Sequence, residues 1–272
     1  AGAGDRSGAT ASARAAAAGD VKDADFVTAL VRQLDYLQLY SEGLAVARRA
    51  ADQHSSDMDL HVLALSRLFI AGDYPQLGAL LKDTPPTADA RLVALQAMTE
   101  IRMDKKAEAK KHLDALIAHP TSNSAGVALA RAVRAAWLDT GDIRPRLDTC
   151  TAALQVDPNN PFLRYFVGLM EFDQGDAQEA VRTWQSATSI APAWPLPITT
   201  LAQAILPSQP QQALRLVKSA LQRSPTDHDA LVLQAAAFAA TIKPDQQAAW
   251  SKLLKMLHDL HEKLTSDQSV YP

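Results

Sequence analysis

The chain has 272 residues, of which 47% are hydrophobic and 6% aromatic, and its formal net charge is −3. This length fits one large or two ordinary domains, and the apolar fraction is sufficient for a sizeable core. The charge does not indicate binding to nucleic acid or to an anionic membrane surface, both of which favour a basic excess. The longest strongly apolar run, residues 232–242, is too short to span a bilayer.

Residues 1–20 are rich in Ala, Gly, Ser and Thr and begin without Met. This composition predicts a flexible linker, in which residues 13–18 favour nascent helix. A linker at this position suggests attachment to something upstream, such as a signal sequence, an anchor or another domain. The chain contains one cysteine, Cys150, so a disulfide within the chain is excluded and the cysteine content indicates no compartment.

From Val21 onward, apolar residues recur at three- and four-residue steps, which predicts amphipathic helices and no strands. Turn residues divide these helices into seven pairs, with a break at Tyr40-Ser41-Glu42-Gly43 in the first pair and at Gln174-Gly175-Asp176 in the fifth. Asp57 is the predicted N-cap of the third helix. After an opening helix that ends near residue 37, the predicted helices are 45–51, 58–70, 74–81, 88–102, 105–118, 125–138, 143–156, two within 161–192, 197–205, 210–222, 227–240 and 245–264.

A period of 34 residues relates these pairs. When residues 127–160 are aligned with 161–194, Gly141 falls on Gly175, Ala153 on Ala187 and Pro158 on Pro192. A downstream segment repeats the spacing of Ala180, Trp184, Ala187 and Pro192 with Ala213, Val217, Ala220 and Pro225. A fixed period of this length is typical of a repeat architecture.

This pattern resembles the tetratricopeptide repeat family, over roughly residues 25–264. The family pattern has a large residue, then Leu-Gly, an aromatic residue, and Ala, Phe, Ala and Pro over 34 residues. In the copy that starts at Pro161, Val167-Gly168 corresponds to Leu-Gly, and the second half of the pattern matches Ala180, Trp184, Ala187 and Pro192. Arg164 and Glu171 depart from the pattern at positions that are usually large or aromatic.

The resemblance implies an all-α fold, a right-handed α-solenoid of about seven helix-turn-helix repeats over residues 21–264. Residues 245–264 would form a capping helix, and residues 265–272 a disordered tail. In the family, the first helix of each pair lines a concave groove. The ligand-facing positions implied for this chain are Met98, Ile101, Arg131, Leu138, Phe162, Tyr165, Leu169, Phe172, Ile198 and Ile205. An alternative is that tight curvature buries this mainly apolar row between neighbouring repeats.

No cluster of residues indicates catalysis, and we expect no cofactor. Cys150 lies on an Ala-rich helix without a nucleophile signature, so a buried structural thiol is the expected state. His258, His261 and Glu262 share one helix but lack the order His-Glu-x-x-His, which favours a polar helix face over a metal site. The basic run at residues 105–111 favours a solvated face.

The sequence therefore predicts a non-catalytic scaffold that binds another protein or a peptide, and neither nucleic acid nor a membrane interior. One alternative is a module that self-associates within a bacterial envelope secretion or polysaccharide-export system, since arrays of this loose type resemble those found there. That resemblance favours the cell envelope or periplasm over the cytoplasm. A further alternative is a substrate-docking arm of a larger enzyme.

Overall fold

The computed structural model of the chain describes residues 6–19, 23–85, 87–120 and 122–268. Within these ranges the regular elements are all helices, and none is long and apolar enough to cross a membrane. The helices are α1 (Arg6–Ala18), α2 (Ala24–Tyr36), α3 (Tyr40–Gln53), α4 (Met58–Ala71), α5 (Tyr74–Leu81), α6 (Ala90–Arg102), α7 (Lys106–Ala118), α8 (Ser124–Trp137), α9 (Ile143–Val156), α10 (Pro161–Gln174), α11 (Ala177–Ile190), α12 (Pro195–Ile205), α13 (Pro210–Leu221), α14 (His228–Ala239) and α15 (Gln247–Gln268).

The predicted all-α architecture of tandem helix pairs is confirmed, with α2/α3 as the first pair and α14/α15 as the seventh among the described residues. The chain divides into two compact units, Ala1–Ala193 and Trp194–Pro272, where the sequence predicted one continuous domain over 21–264. In the first unit, each pair packs on the next, so that α10 contacts α8, α9 and α11. In the second unit, α12 packs on α13, and α14 packs on both α13 and α15.

Glycine sets the distance between helices at two places in the first unit. A Cβ atom built on Gly168 of α10 would lie 2.5 Å from Nε1 of Trp184 on α11, so only glycine allows the indole to lie against the helix. The indole Nε1 donates a hydrogen bond to the carbonyl oxygen of Tyr165 at 3.2 Å. Gly126 of α8 has the same role between pairs, because its Cβ would lie 2.5 Å from the backbone nitrogen of Arg91 on α6.

In the second and fifth pairs, the first helix ends at a glycine with a positive φ. Gly72 and Gly175 have φ values of 81° and 99°, which glycine adopts without the steric cost that other residues meet. In the fifth pair, Gly175 N–H donates to the carbonyl of Phe172 at 3.0 Å, and Asp176 N–H donates to that of Glu171 at 2.9 Å. These bonds satisfy the last carbonyl groups of α10, and the predicted break at residues 174–176 is therefore confirmed.

The first pair turns earlier than the sequence indicated. The break lies at residues 37–39, where Gln38 has a φ of 66°, and α3 already begins at Tyr40. Gly43 is therefore helical and does not end a helix. A Cβ on Gly43 would lie 3.3 Å from Oδ1 of Asp35 and 3.5 Å from Nη2 of Arg67, so the glycine makes room for these side chains.

The predicted flexible linker over residues 1–20 is corrected for residues 6–18, which form α1. Alanine has the highest helix propensity, and Ala13 is buried against the core formed by α2, α3 and α4. Arg14 on α1 forms an ion pair with Glu42 on α3 at 2.8 Å, and Arg49 donates a hydrogen bond to the carbonyl of Ala17. The nascent helix expected at residues 13–18 is thus part of a longer helix, which tertiary packing stabilises. Residues 1–5 and 20 lie outside the described residues.

Where the sequence predicted a capping helix over 245–264, the structure has the helix α15, which begins at Gln247 and continues to Gln268. Residues 265–268 of the predicted disordered tail therefore belong to this helix, and residues 269–272 lie outside the described residues.

A polar network links the N-terminal ends of α4, α6 and α8. Arg91 donates to Asp59 at 2.6 Å and to Asp89 at 2.9 Å, and Asp89 also caps α6 through the backbone N–H of Arg91. Asn123, the N-cap of α8, lies 3.4 Å from both carboxylate oxygens of Asp89. Burial alone would raise the pKa of Asp89, but the hydrogen bonds from Arg91 and Asn123 hold it below its ordinary value of 3.8. The network fixes where successive first helices start.

Glu171 is a carboxylate at a position where the repeat pattern usually has a large apolar residue. It is half-buried on α10, and burial is the main cause that raises its pKa above 4.5. A hydrogen bond with Thr183 lowers the pKa, whereas the charges of Glu179 and Asp176 raise it further. Ionised Glu171 therefore destabilises the folded chain relative to the unfolded chain.

Replacing Gly168 by Ala tests the helix contact. The new Cβ would overlap the Trp184 indole, and this overpacking should outweigh the gain in helix propensity, for a net loss of about 2 kcal/mol in the free energy of unfolding. Urea unfolding followed by circular dichroism measures the loss. Gly141→Ala is the matched control, since a Cβ there meets no atom within 4 Å. Equal stabilities of the two variants would contradict the proposed role of Gly168.

Replacing Glu171 by Gln should raise the melting temperature at pH 7, because the amide removes a partly buried charge and can still accept from Thr183. The gain should stay below about 1 kcal/mol, since water screens a half-exposed carboxylate. It should shrink as the pH falls through the raised pKa of the folded state towards 4.5, because the wild-type carboxyl then becomes neutral as well. Glu108→Gln on the exposed face of α7 is the control, and a gain independent of pH would contradict this explanation.

Candidate functional site

A cleft of about 300 Å³ lies within the first unit, between α2, α4 and the start of α10. The loop before α10 and the end of α11 complete its rim. Apolar side chains make up about half of the lining residues, and apolar surface of this kind is typical of sites that bind a ligand by desolvation. The apolar lining consists of Val31, Val62, Leu63, Ile70, Pro161, Phe162, Ile190 and Ala191.

The cleft exists because non-adjacent pairs touch. The ring of Phe69 on α4 meets the ring of Phe162 on α10 edge-on, with centroids 5.5 Å apart and planes at 90°. This geometry is a favoured arrangement of two aromatic rings. Phe69 is fully buried, while Phe162 retains 6% exposure and contributes to the lining. The second and fifth pairs therefore form opposite walls of one site.

A buried ion pair lies in the wall formed by α2 and α4. The guanidinium of Arg67 donates from both terminal nitrogens to the carboxylate of Asp35, and each bond is 2.6 Å long. The side chains are 6% and 4% exposed, so water screens the pair very little. Both residues line the cleft, and the Nε atom of Arg67 is buried without a hydrogen-bond partner among the described residues. The bidentate geometry holds the two helices at one relative position.

Polar side chains outside this ion pair also line the cleft. Arg32 on α2 is exposed and has no ion pair with any described residue. Ser66 on α4 and Asn159 in the loop before α10 also reach the cleft. The remaining carboxylates are already engaged, since Asp59 accepts from Arg91 at 2.6 Å and Asp157 accepts from Asn160 at 3.1 Å. A ligand would therefore meet apolar side chains and the guanidinium of Arg32, which has no ion pair among the described residues.

The residues predicted to face a groove are distributed among three environments, and only Phe162 lines this cleft. Tyr165 is 4% exposed and packs its ring against Trp137 with centroids 6.3 Å apart. Met98, Ile198 and Ile205 are buried as well. The half-buried members are Ile101, Leu138 and Leu169. Arg131 and Phe172 are exposed, and the ring of Phe172 lies 5.7 Å from that of Trp184. Much of the row thus contributes to the interior.

Sequence reasoning missed the α2 and α4 side of the cleft. The repeat register identifies which face of a first helix points inward, but it does not give the curvature that brings the second pair close to the fifth. One signal was available. Asp35 and Arg67 are charged residues next to the apolar residues Leu34 and Leu68 on two successive first helices. Opposite charges at such positions indicate a buried pair, since an unpaired buried charge is too costly.

The structure places Cys150 in the interior, as predicted. Burial is the main cause that raises the pKa of its thiol to about 12, against a smaller lowering by the charge of Arg146. A thiol with this pKa is protonated at neutral pH and is a poor nucleophile. His258 pairs with Glu262 at 3.3 Å on the exposed face of α15. Among the described residues, no group of three or more His, Cys, Asp or Glu side chains is arranged to hold a metal ion.

No protein-family model matches the sequence, and no curated protein matches it either. Solved structures do match. The human IFIT1 dimer with m7Gppp-AAAA has a TM-score of 0.53 at 13% sequence identity, over 97% of this chain and 65% of that one. The human IFIT1 dimer with PPP-AAAA has a TM-score of 0.50 at 14% identity, over 98% of this chain and 66% of that one. Among the weaker matches is TTC0263, a thermophilic tetratricopeptide repeat protein in Thermus thermophilus, with a TM-score of 0.35 at 18% identity, over 80% of this chain and 100% of that one.

The chain has a tetratricopeptide-type repeat fold. Within the structure, this assignment rests on the tandem helix pairs and on Gly168, the small residue at which α10 meets α11. The similarity to IFIT1 supports it at the level of fold. The chain spans about two thirds of the length of the IFIT1 chain that it matches, 65%.

Replacing Arg67 by Met should lower the free energy of unfolding by about 3–5 kcal/mol, because the carboxylate of Asp35 would remain buried without its partner. Tryptophan fluorescence in a urea titration measures the change. The double replacement Asp35→Leu with Arg67→Met should recover most of it, since no charge is then buried.

The matched control for this test is Arg144→Met, because Arg144 pairs with Asp148 in a largely exposed position, 68% and 67% exposed. Its cost should be within about 1 kcal/mol, as for other surface ion pairs. If Arg67→Met were no more costly than Arg144→Met, the buried pair would not be holding α2 and α4 together.

Proposed function

We propose that this chain is a non-catalytic scaffold that binds a peptide segment of another protein in the cleft between α2, α4 and α10. The observation that carries the proposal is the chemistry of the cleft, whose lining combines apolar side chains of α2, α4 and α10 with the preorganised pair of Asp35 and Arg67 and the exposed Arg32. Helical repeat proteins use concave surfaces of this kind to bind extended segments. The buried, protonated thiol of Cys150 supports a role without catalysis.

The lining suggests how a peptide would bind. An apolar side chain would displace water from Val31, Leu63 and Phe162, and desolvation of these groups would provide most of the affinity. Arg32 would pair with an acidic residue of the peptide at the rim, which would set its orientation. Because the ion pair of Asp35 and Arg67 is already formed, little ordering of this wall would be needed on binding.

The balance of charge favours a protein partner over nucleic acid. Three carboxylates line the cleft, Asp35, Asp59 and Asp157, against two guanidinium groups, Arg32 and Arg67. A surface that binds the phosphate backbone needs an excess of cations, which this cleft does not have. The human IFIT1 structures with m7Gppp-AAAA and PPP-AAAA therefore suggest a common architecture and no shared ligand for this cleft.

The exposed and half-buried members of the predicted groove row remain proposed contacts of a longer partner. Phe172 and Arg131 are accessible, and Ile101, Leu138 and Leu169 are partly so. In contrast, Met98, Tyr165, Ile198 and Ile205 are buried, so replacing them would change stability rather than partner contact. A test of binding should therefore change residues of the cleft that do not belong to the core.

Ser66→Phe is such a change, because Ser66 lines the cleft and a phenyl ring would fill it. Peptides that bind the purified chain would be selected from a random library, and their affinities for the wild type and the variant compared by calorimetry. Affinity for Ser66→Phe should fall by at least about tenfold, since the lost apolar contacts correspond to more than about 1.4 kcal/mol.

The control for this experiment is Ser189→Phe, which adds the same ring to the exposed face of α11 and should leave affinity unchanged. Equal binding by both variants, or failure to select any peptide, would contradict the cleft as the binding site. Circular dichroism spectra of both variants would show that they retain the helical fold.

A further inference from the structure

A second pocket in the first unit, of about 290 Å³, lies where α7, α8 and α9 meet. Three of its lining side chains are arginines, Arg131, Arg134 and Arg146, and one is a carboxylate, Asp139. None of these residues lines the cleft described above. Three guanidinium groups in one pocket repel one another, so their positions must be stabilised by other contacts or by a bound anion.

Two of the arginines are held in place by the protein. Arg146 on α9 donates from Nε to the carbonyl of Ala135 at 2.7 Å and from Nη2 to that of Ala136 at 3.2 Å, at the C-terminal end of α8. Arg134 donates to Asp139 at 3.3 Å and pairs with Asp114 at 2.7 Å. Guanidinium groups fixed in this way lose little conformational entropy when they bind a further anion.

Arg131 differs from the other two because it has no ion pair or hydrogen bond with a side chain among the described residues. It is also the one exposed residue on the otherwise buried stretch of α8 from Gly126 to Val133. The side chain therefore contributes an available cation to the pocket.

The charge of the pocket is unbalanced. The pocket has three guanidinium groups and two nearby carboxylates, those of Asp114 and Asp139, which both pair with Arg134. Asp114 is shared, since Lys110 also pairs with it. An excess positive charge therefore remains beside Arg131 and Arg146, whose remaining N–H groups can bind a carboxylate.

We propose that this pocket binds the carboxylate of an acidic peptide segment, between Arg131 and the fixed guanidinium of Arg146. Its volume of about 290 Å³ admits one side chain rather than a stretch of nucleic acid. The three arginines form a single cluster and not the extended basic track that a phosphate backbone requires. Arg131 also belongs to the predicted groove row, but none of the residues of this pocket lines the cleft, so the proposal does not depend on binding in the cleft.

The test uses the full chain and the nuclear magnetic resonance signals of the arginine Nε–Hε groups. The probe is a blocked tripeptide, acetyl-Leu-Glu-Leu-amide, with acetyl-Leu-Gln-Leu-amide as the uncharged counterpart. The signals of Arg131 and Arg146 should shift saturably with the Glu peptide and remain unchanged with the Gln peptide. Arg144 is the internal control, because it lies on the same helix as Arg146, outside the pocket, and pairs with Asp148.

Two variants complete the test. Arg131→Gln should bind the Glu peptide about tenfold more weakly, because it removes a charge-assisted hydrogen bond. It should melt at the temperature of the wild type, since no described residue depends on Arg131 as a partner. Arg144→Gln should bind like the wild type. Ser66→Phe should also keep the response of Arg131, so that failure of the cleft and failure of this pocket give different results.

Three outcomes would overturn the proposal. The first is an equal shift of Arg131 and Arg144, which would indicate general ionic screening. The second is no saturable shift of Arg131 with the Glu peptide. The third is stronger binding of inorganic phosphate or of a single-stranded decaribonucleotide than of the Glu peptide, which would assign the pocket to phosphate groups and not to peptide carboxylates.

Discussion

The close approach of helices at glycine is the constraint on which the first unit depends. The Trp184 indole lies on Gly168 within the fifth pair, and α6 lies on Gly126 between the third and fourth pairs. Each contact removes the space that a single methyl group would need. Because every pair packs on the next, an error in one separation would be carried through the positions of the pairs that follow. The glycines therefore fix the geometry that the larger side chains then fill.

The fold was predictable from the sequence to the extent that local signals decide it. The period of 34 residues, the small residue at Gly168 and the turn at Gly175 identify the helix pairs without tertiary information. Prediction failed where packing overrides local preference. Gly43 was predicted to break a helix but lies inside α3, where its missing side chain leaves space for the pair of Asp35 and Arg67. In α1, packing extends a local helix preference over residues that were predicted to be a linker.

The candidate site was less predictable than the fold, for a geometric reason. A repeat register gives the inward face of each first helix, and Phe162, from the predicted row, lies in the lining of the cleft. It does not give the small rotation between successive pairs, and that rotation decides which inward residues remain accessible. Tyr165 and Met98 are thereby buried, whereas Arg32 and Ser66 on earlier helices are left facing a cleft. The charged residues next to apolar positions on α2 and α4 carried the missing information.

The edge-on contact of Phe69 with Phe162 has a mechanical consequence. In an array whose repeats contact only their neighbours, the angle between two adjacent repeats can change without changing the other angles. The ring contact links the second and fifth pairs, which are not adjacent in the chain, and it therefore couples the angles between the pairs that lie between them. Extending the first unit would therefore require the two rings to separate. The same contact limits how far the two walls of the cleft can move apart.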